Sequence, residues 1–173
     1  MNHIIDLMMA AERLKIIFRT GWKLSGIDFP ESVADHTFGV VFLAMLLGDF
    51  FQLDTEKMMK MAVLHDIAES KLGDIHYESQ TYLGNAVHVA EEKAARDLLP
   101  EEYFELWEEF RSKTSEEARL VAACDKLELY IQALTYEKAG YTGLDHFWEN
   151  VWNQKDFSPE VAELFEILKA MRE

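Results

Sequence analysis

Almost from end to end, apolar side chains recur three and four positions apart, and no stretch of useful length alternates apolar with polar. That spacing lines one face of an α-helix, whereas a half-buried strand needs a period of two. An all-α bundle with little or no sheet is therefore expected. Ile4, Ile5, Met8, Ala11, Leu14, Ile17 and Phe18 mark a first helix, and Gly21, Gly26 and Pro30 a loop from about Thr20 to Glu31. Ser32, with Asp35 three residues on, reads as a capped start of a helix that runs to about Phe51. Asp54 or Thr55 opens a third helix carrying Met58, Met61, Ala62, Leu64 and His65, and Gly73 falls in the loop after it.

A fourth helix is predicted from about Ala86 to Leu99, and a fifth, with Pro100 in its first turn, to about Arg111. Thr114 and Glu117 read as a capping-box pair before a long helix ending near Gly140. Thr142 is placed as the cap of a short aromatic helix holding Phe147, Trp148, Val151 and Trp152, and Ser158-Pro159 opens the last helix. No repeat or linker divides the chain, and 173 residues suit one domain around one core.

The composition, 49% hydrophobic and 28% charged, is that of a folded globular chain. A net charge of −15 without a Lys/Arg stripe argues against nucleic acid as a partner. A small phosphorylated metabolite differs, because one bound metal ion makes a local positive point in an acidic protein. The single cysteine, Cys124, rules out an internal disulfide and suits a reducing cytoplasm. Asp6 and Glu12 interrupt the first apolar stretch, and the longest apolar run, Val40 to Leu47, falls short of a bilayer. Neither a leader nor a membrane partner is expected.

Chemistry is concentrated in His65-Asp66, followed by Glu69 and Asp74. A His-Asp pair alone is a weak motif. On a helix, neighbours about 100° apart can bend toward one point, and Glu69 stands over the same face if the helix continues. His36 sits among Val33, Val40 and Leu43, and Asp125 among Val121, Ala122, Leu127 and Leu129. An aspartate in such a run is costly to bury unless paired or metal-bound. Taken singly, His36 reads as a hydrogen-bonded core histidine, Asp125 as a partner of Lys126 or Arg119, and Glu69 as a solvated carboxylate. Asp35 reads as a cap. Together, His36, His65, Asp66 and Asp125 on three helices describe an N/O site for one divalent ion of the Mn, Co, Ni, Fe or Zn class.

The segments RTGW (Arg19 to Trp22), ESVADH (Glu31 to His36), HDIAE (His65 to Glu69), GD (Gly73-Asp74) and CDKLE (Cys124 to Glu128) resemble, in order and spacing, the HD-domain 5'-deoxynucleotidases. The resemblance spans about residues 13–136 of a single HD domain, and the C-terminal helices, about 142–172, add nothing to it. It implies a helical bundle, usually dimeric, that removes phosphate from deoxyribonucleoside 5'-monophosphates. It implies His36, His65, Asp66 and Asp125 as metal ligands and Glu69 and Asp74 as catalytic carboxylates. It also implies Arg19 and Trp22 as substrate-binding residues, although the Arg-to-Trp spacing varies between branches of the family. Trp22 also reads as a core-edge aromatic, and Lys71 and Lys126 as surface lysines or further phosphate contacts.

Two other functions stay open at this point. One is another HD-superfamily hydrolase, acting on a cyclic nucleotide, a dNTP or a guanosine polyphosphate. The other is a non-catalytic helical module stapled by its metal, although structural sites are usually closed and Cys-rich. Phe147, Trp148, Trp152, Phe157 and Phe165 offer more aromatic surface than a small core hides. That surface, with the resemblance, leads to the expectation of a homodimer, and the same rings also read as a cover for the bundle's end.

Overall fold

A computed structural model describes residues 2–149 and 157–172. Among these, eleven helices account for the regular structure: α1 (Asn2–Leu14), α2 (Thr20–Leu24), α3 (Val33–Phe51), α4 (Thr55–Leu64), α5 (Glu69–Leu72), α6 (Tyr77–Leu83), α7 (Asn85–Leu98), α8 (Glu101–Ser112), α9 (Glu116–Lys138), α10 (Asp145–Trp148) and α11 (Pro159–Ala170). The only strand-like feature among them is a single antiparallel bridge between Phe18 and Ser32. The all-α expectation holds.

That bridge explains why the first helix stops short of Phe18. The Arg19 N–H donates to the Glu31 carbonyl at 3.0 Å, and the Val33 N–H to the Ile17 carbonyl at 2.8 Å. Pairing with residues 31–33 satisfies backbone groups that the helix would otherwise have used. The chain then re-forms a helical turn, α2, where a loop was expected. This clamp sets Arg19 and Trp22 beside the start of α3.

The capping box at Ser32 is present: its hydroxyl accepts from the Asp35 N–H, and the Asp35 carboxylate accepts from the Ser32 N–H. Asp54 caps α4 and Ser158 caps α11. Elsewhere the caps differ from expectation. Ser115, not Thr114, accepts from the Ala118 N–H and starts α9 one residue later. Pro100 is the residue before α8 rather than within its first turn. Thr142 caps nothing: α10 begins after Leu144 with no side-chain cap. Val151 and Trp152 lie outside the described residues. The span 74–85 also holds α6, between Gly73 and Gly84, both at positive φ.

The largest departure falls at the motif itself. The helix predicted through His65 ends at Leu64, and residues 65–68 form tight turns before α5. Helix ends leave carbonyls unpaired. Here the Trp107 indole N–H takes the His65 carbonyl at 3.3 Å. Glu69 therefore reaches the site from a new helix rather than from the next turn of the old one.

The main core gathers α3, α4, α9 and α11 around Val40, Met58, Met61, Val121, Leu127 and Phe165, and a second cluster joins α1, α7 and α8. Phe147, Trp148 and Phe165 are buried in the main core and Phe157 packs against it. Among the described residues, the aromatics from which a dimer surface was expected are thus packed inside. By length and composition alone, α3 could cross a bilayer. One of its faces is nevertheless built into this core, with His36, Val33, Val40 and Ala44 fully buried.

Candidate active site

His36 enters from the first turns of α3, His65 and Asp66 from the turn after α4, and Asp125 from the middle of α9. Helix packing brings these three elements to one point. The two Nε2 atoms are 3.4 Å apart. His65 Nε2 lies 3.1 Å from Asp66 Oδ2, and His36 Nε2 lies 3.9 Å from the same oxygen. Donor atoms of His36, His65 and Asp66 all fall within 4.8 Å of one another. Asp125 joins through His36, with Oδ1 at 3.2 Å from Nε2, while its other oxygen meets Lys126 at 3.0 Å. The Lys126 partnership weighed from the sequence is therefore real, alongside the contact to His36.

The second nitrogen of each ring is committed elsewhere. His65 Nδ1 lies 2.7 Å from the Ala62 carbonyl, which only an N–H can satisfy. His36 Nδ1 lies 2.5 Å from Glu128 Oε2. With both protons on Nδ1, two lone pairs face each other inside the cluster, which is unfavourable unless a proton or a cation stands between them. This donor set of two imidazoles and two carboxylates, with outer partners already in place, fits a divalent transition ion.

Without an ion, the charges compensate one another. Burial and Arg19 oppose a proton on His36, but Asp125 and Glu128 outweigh them and its pKa is pushed up to about 9. Burial works to raise Asp66, yet His65, Arg19 and His36 hold it well below the usual carboxylate range. Asp125 is likewise held low, against burial, by Lys126, His36 and His65. Glu69 behaves oppositely. Burial, assisted by Asp66 and Asp74 and only partly countered by Arg19, pushes it up to about 10, so its carboxyl stays protonated at neutral pH. Its Oε2 is buried and has no hydrogen-bond partner.

Arg19 aims its guanidinium between two carboxylates, 3.4 Å from Asp66 and 3.9 Å from Asp74. Burial opposes its charge, and Asp74, Asp66, Glu69 and Asp125 together raise its pKa nonetheless. Asp74 accepts from the Thr20 N–H, while the Thr20 hydroxyl donates to the Asp74 carbonyl at 2.7 Å. This acid thus ties the first turn of α2 to the site. Trp22 is 1% exposed. Its indole N–H donates to Glu31 at 2.7 Å, and its ring packs against Phe147 and Tyr136. Burial and Glu128 raise Glu31 to about 7 against the pull of His36, Arg19 and Trp22.

Arg19, Trp22, His65, Asp66, Glu69, Asp74 and Asp125 border a cavity of about 510 Å³, together with Gly21, Phe147, Lys126, and Ile75, His76, Tyr77 and Gln80 from the segment around α6. The volume suits a ligand of nucleotide size. Lys126 lines it; Lys71 lies in a separate groove with Arg13 and Asp97. Sequence reading missed Glu128 and Glu31. Glu128 had a readable signal, since it follows Asp125 by three residues and so shares its face of α9.

The HD domain family model matches residues 11–165. The 5'-deoxynucleotidase HDDC2 of Danio rerio is 35% identical over 182 residues, covering 99% of this chain and 89% of that protein. Its Homo sapiens counterpart, the 5'-deoxynucleotidase HDDC2, is 32% identical over 178 residues, covering 98% and 86%. Among solved structures, a conserved hypothetical protein from Pyrococcus furiosus superposes with a TM-score of 0.85 at 38% identity, covering 97% of this chain and 98% of that one.

Proposed function

The chain belongs to the HD domain family, and from that premise we infer that it is a metal-dependent phosphohydrolase that removes the phosphate from deoxyribonucleoside 5'-monophosphates. The observation that carries the reading is the convergence of two inward-facing imidazole Nε2 atoms with Asp66 and Asp125 on a cavity that also holds one arginine and one buried glutamate.

His36, His65, Asp66 and Asp125 would hold one divalent ion of the Mn, Co, Ni, Fe or Zn class. Such an ion supplies Lewis-acid charge and lowers the pKa of water. The remaining work falls to the chain's own side chains. Arg19 presents a planar guanidinium, fixed by Asp66 and Asp74, to which a phosphate can bind through two parallel hydrogen bonds. Glu69, buried beside the site with one unpartnered oxygen, is placed to pass a proton to the departing 5'-oxygen, which would leave it as a carboxylate. Asp74 holds Arg19 and Thr20 in place and stands ready to share in proton handling.

Gly21 and Phe147 form an apolar stretch of wall, backed by Trp22, which is itself 1% exposed. A 2'-hydroxyl pressed there loses water and gains no partner, a cost of about 1–3 kcal/mol that favours deoxyribose. A small nucleotide is the partner, with no role for nucleic acid, and a reducing cytoplasm suits the free buried thiol of Cys124.

The homodimer is assigned to a different surface from the C-terminal aromatics. Phe38, Phe42, Leu46 and Phe50 repeat every fourth residue along α3 and are exposed by about half or more, Leu46 at 49% being the least. Residues 37–48 carry no ionisable side chain. In a chain of net charge −15, this is a face on which two copies meet without like charges opposed. Each phenylalanine covers about 150–250 Å², a large part of the ~800 Å² per partner of a standard interface.

The test is a panel of ribo- and deoxyribonucleoside mono-, di- and triphosphates and cyclic nucleotides, on chelator-stripped protein with each ion restored in turn. Metal-restored release of phosphate from 5'-monophosphates, faster for deoxyribose, is the expected result. Cleavage confined to triphosphates or cyclic nucleotides overturns the substrate.

A further inference from the structure

Both histidines at the site present Nε2 inward, but different devices hold them there. His65 rests its Nδ1 on a backbone carbonyl of its own turn. His36 has no such carbonyl; its Nδ1 meets the Oε2 of Glu128, from α9, at 2.5 Å. The histidine is fully buried and Glu128 is 7% exposed. An ionised or neutral glutamate in that position is costly unless its contact is useful.

The facing helix has made room for it. Gly39 lies mid-helix in α3, three residues after His36, where glycine is less stable than alanine. A Cβ at Gly39 would stand 2.7 Å from Glu128 Cγ, 3.1 Å from Oε1 and 3.3 Å from Cδ. Alanine would therefore push the carboxylate off His36. Glu31, the other acid nearby, is already committed to the Trp22 indole at 2.7 Å.

We propose that Glu128 is a positioning residue that fixes His36 as an Nε2 donor, and that Gly39 is the space this carboxylate requires. A carboxylate on Nδ1–H sets the tautomer, orients the ring and raises the basicity of the opposite nitrogen. The proposal rests on the metal-site reading above, and its test separates the two.

The test uses the full chain as wild type, Glu128→Gln, Glu128→Ala, Gly39→Ala and the Gly39→Ala/Glu128→Ala double variant. The first readout needs no metal. In 15N-histidine-labelled, chelator-stripped protein, a far-downfield imidazole proton on His36 Nδ1 is expected in the wild type. It should move upfield in Glu128→Gln and vanish in Glu128→Ala. The second readout is titration with cobalt(II), followed by its visible absorption. Wild type should bind one ion per chain, and both Glu128 variants should bind one ion about 10–100-fold more weakly. Gly39→Ala should weaken binding to a similar degree. Added to Glu128→Ala, it should cause no further loss, because the methyl then enters vacated space.

Wild-type cobalt affinity in Glu128→Gln overturns the proposal alone. So does a Gly39→Ala loss that adds in full to that of Glu128→Ala. Absence of the downfield proton in the wild type overturns the His36–Glu128 contact itself. Failure of the wild type to take up cobalt, with the downfield proton present, overturns the metal reading and with it the role given to Glu128.

Discussion

The two faces of α3 are both dominated by apolar residues and do opposite things. The inner face buries Val33, His36, Val40 and Ala44 completely, so its one polar member had to be satisfied on both ring nitrogens. A buried donor or acceptor left unpaired costs about 1–3 kcal/mol. The outer face leaves Phe38 at 72% and Phe50 at 74% exposure, with the rings of Phe38 and Phe42 stacked. Single exposed apolar residues are ordinary, but four in one row, three of them inside the charge-free span 37–48, make a contiguous apolar patch. The difference teaches that hydropathy alone does not tell a face built into the site from one left open to solvent. What separates them is whether a polar group lies among the apolar ones and what it meets.

The inner face gives the largest expected effect. His36→Ala should bring phosphate release and bound metal to background together, as read by nucleotide turnover and elemental analysis. Full activity in that variant would reduce the inner face to packing. Next is Glu69→Ala, across the cavity, where kcat should fall by about 10²–10⁴-fold with metal content kept. Loss of metal instead would make Glu69 a ligand.

The outer face is probed by Phe38→Asp combined with Phe42→Asp. The dimer dissociation constant should rise by about 30-fold or more for each aromatic anchor lost, at ~2 kcal/mol each. The reading is by sedimentation or light scattering, with kcat/KM of the remaining species unchanged. A wild-type monomer at micromolar concentration would break the comparison on this side.

The smallest expected effect concerns the acid behind the inner face. Glu31 is raised from the ordinary glutamate value of 4.5 to about 7. A raised acid favours the folded state fully below the unfolded value and loses that contribution as pH climbs through the folded one. In chelator-stripped protein, stability attributable to Glu31 should therefore decline between about pH 4.5 and 7. Glu31→Gln should flatten this, gaining on the order of 1–3 kcal/mol relative to wild type at pH 8 over pH 5. Thermal melts at the two pH values measure it, and an equal gap at both would show that the buried acid carries no such cost.

Much of this was readable beforehand. Ser32 and Asp35, Asp54 and Ser158 announced helix starts because capping is a local exchange of hydrogen bonds between residues three apart. His36, His65, Asp66 and Asp125 stood out because ionisable side chains in apolar helical runs need a reason. Three of the larger departures share one cause. Phe18 left its helix because Ser32 offered a bridge, the helix through His65 broke where Trp107 could take a freed carbonyl, and Phe147, Trp148 and Phe165 went inward because α9 and α11 closed over them. Each was decided by a partner distant in sequence.

By itself, then, the sequence determined the helical class, several helix starts and the candidate metal-ligating side chains, since these depend on spacing and on neighbours within a turn. Only the tertiary structure decided that Glu128 would meet His36 across 92 positions, that Gly39 would give it room, and that α3 would turn phenylalanines outward. Those choices depend on which helix packs against which face, and no local pattern carries that information.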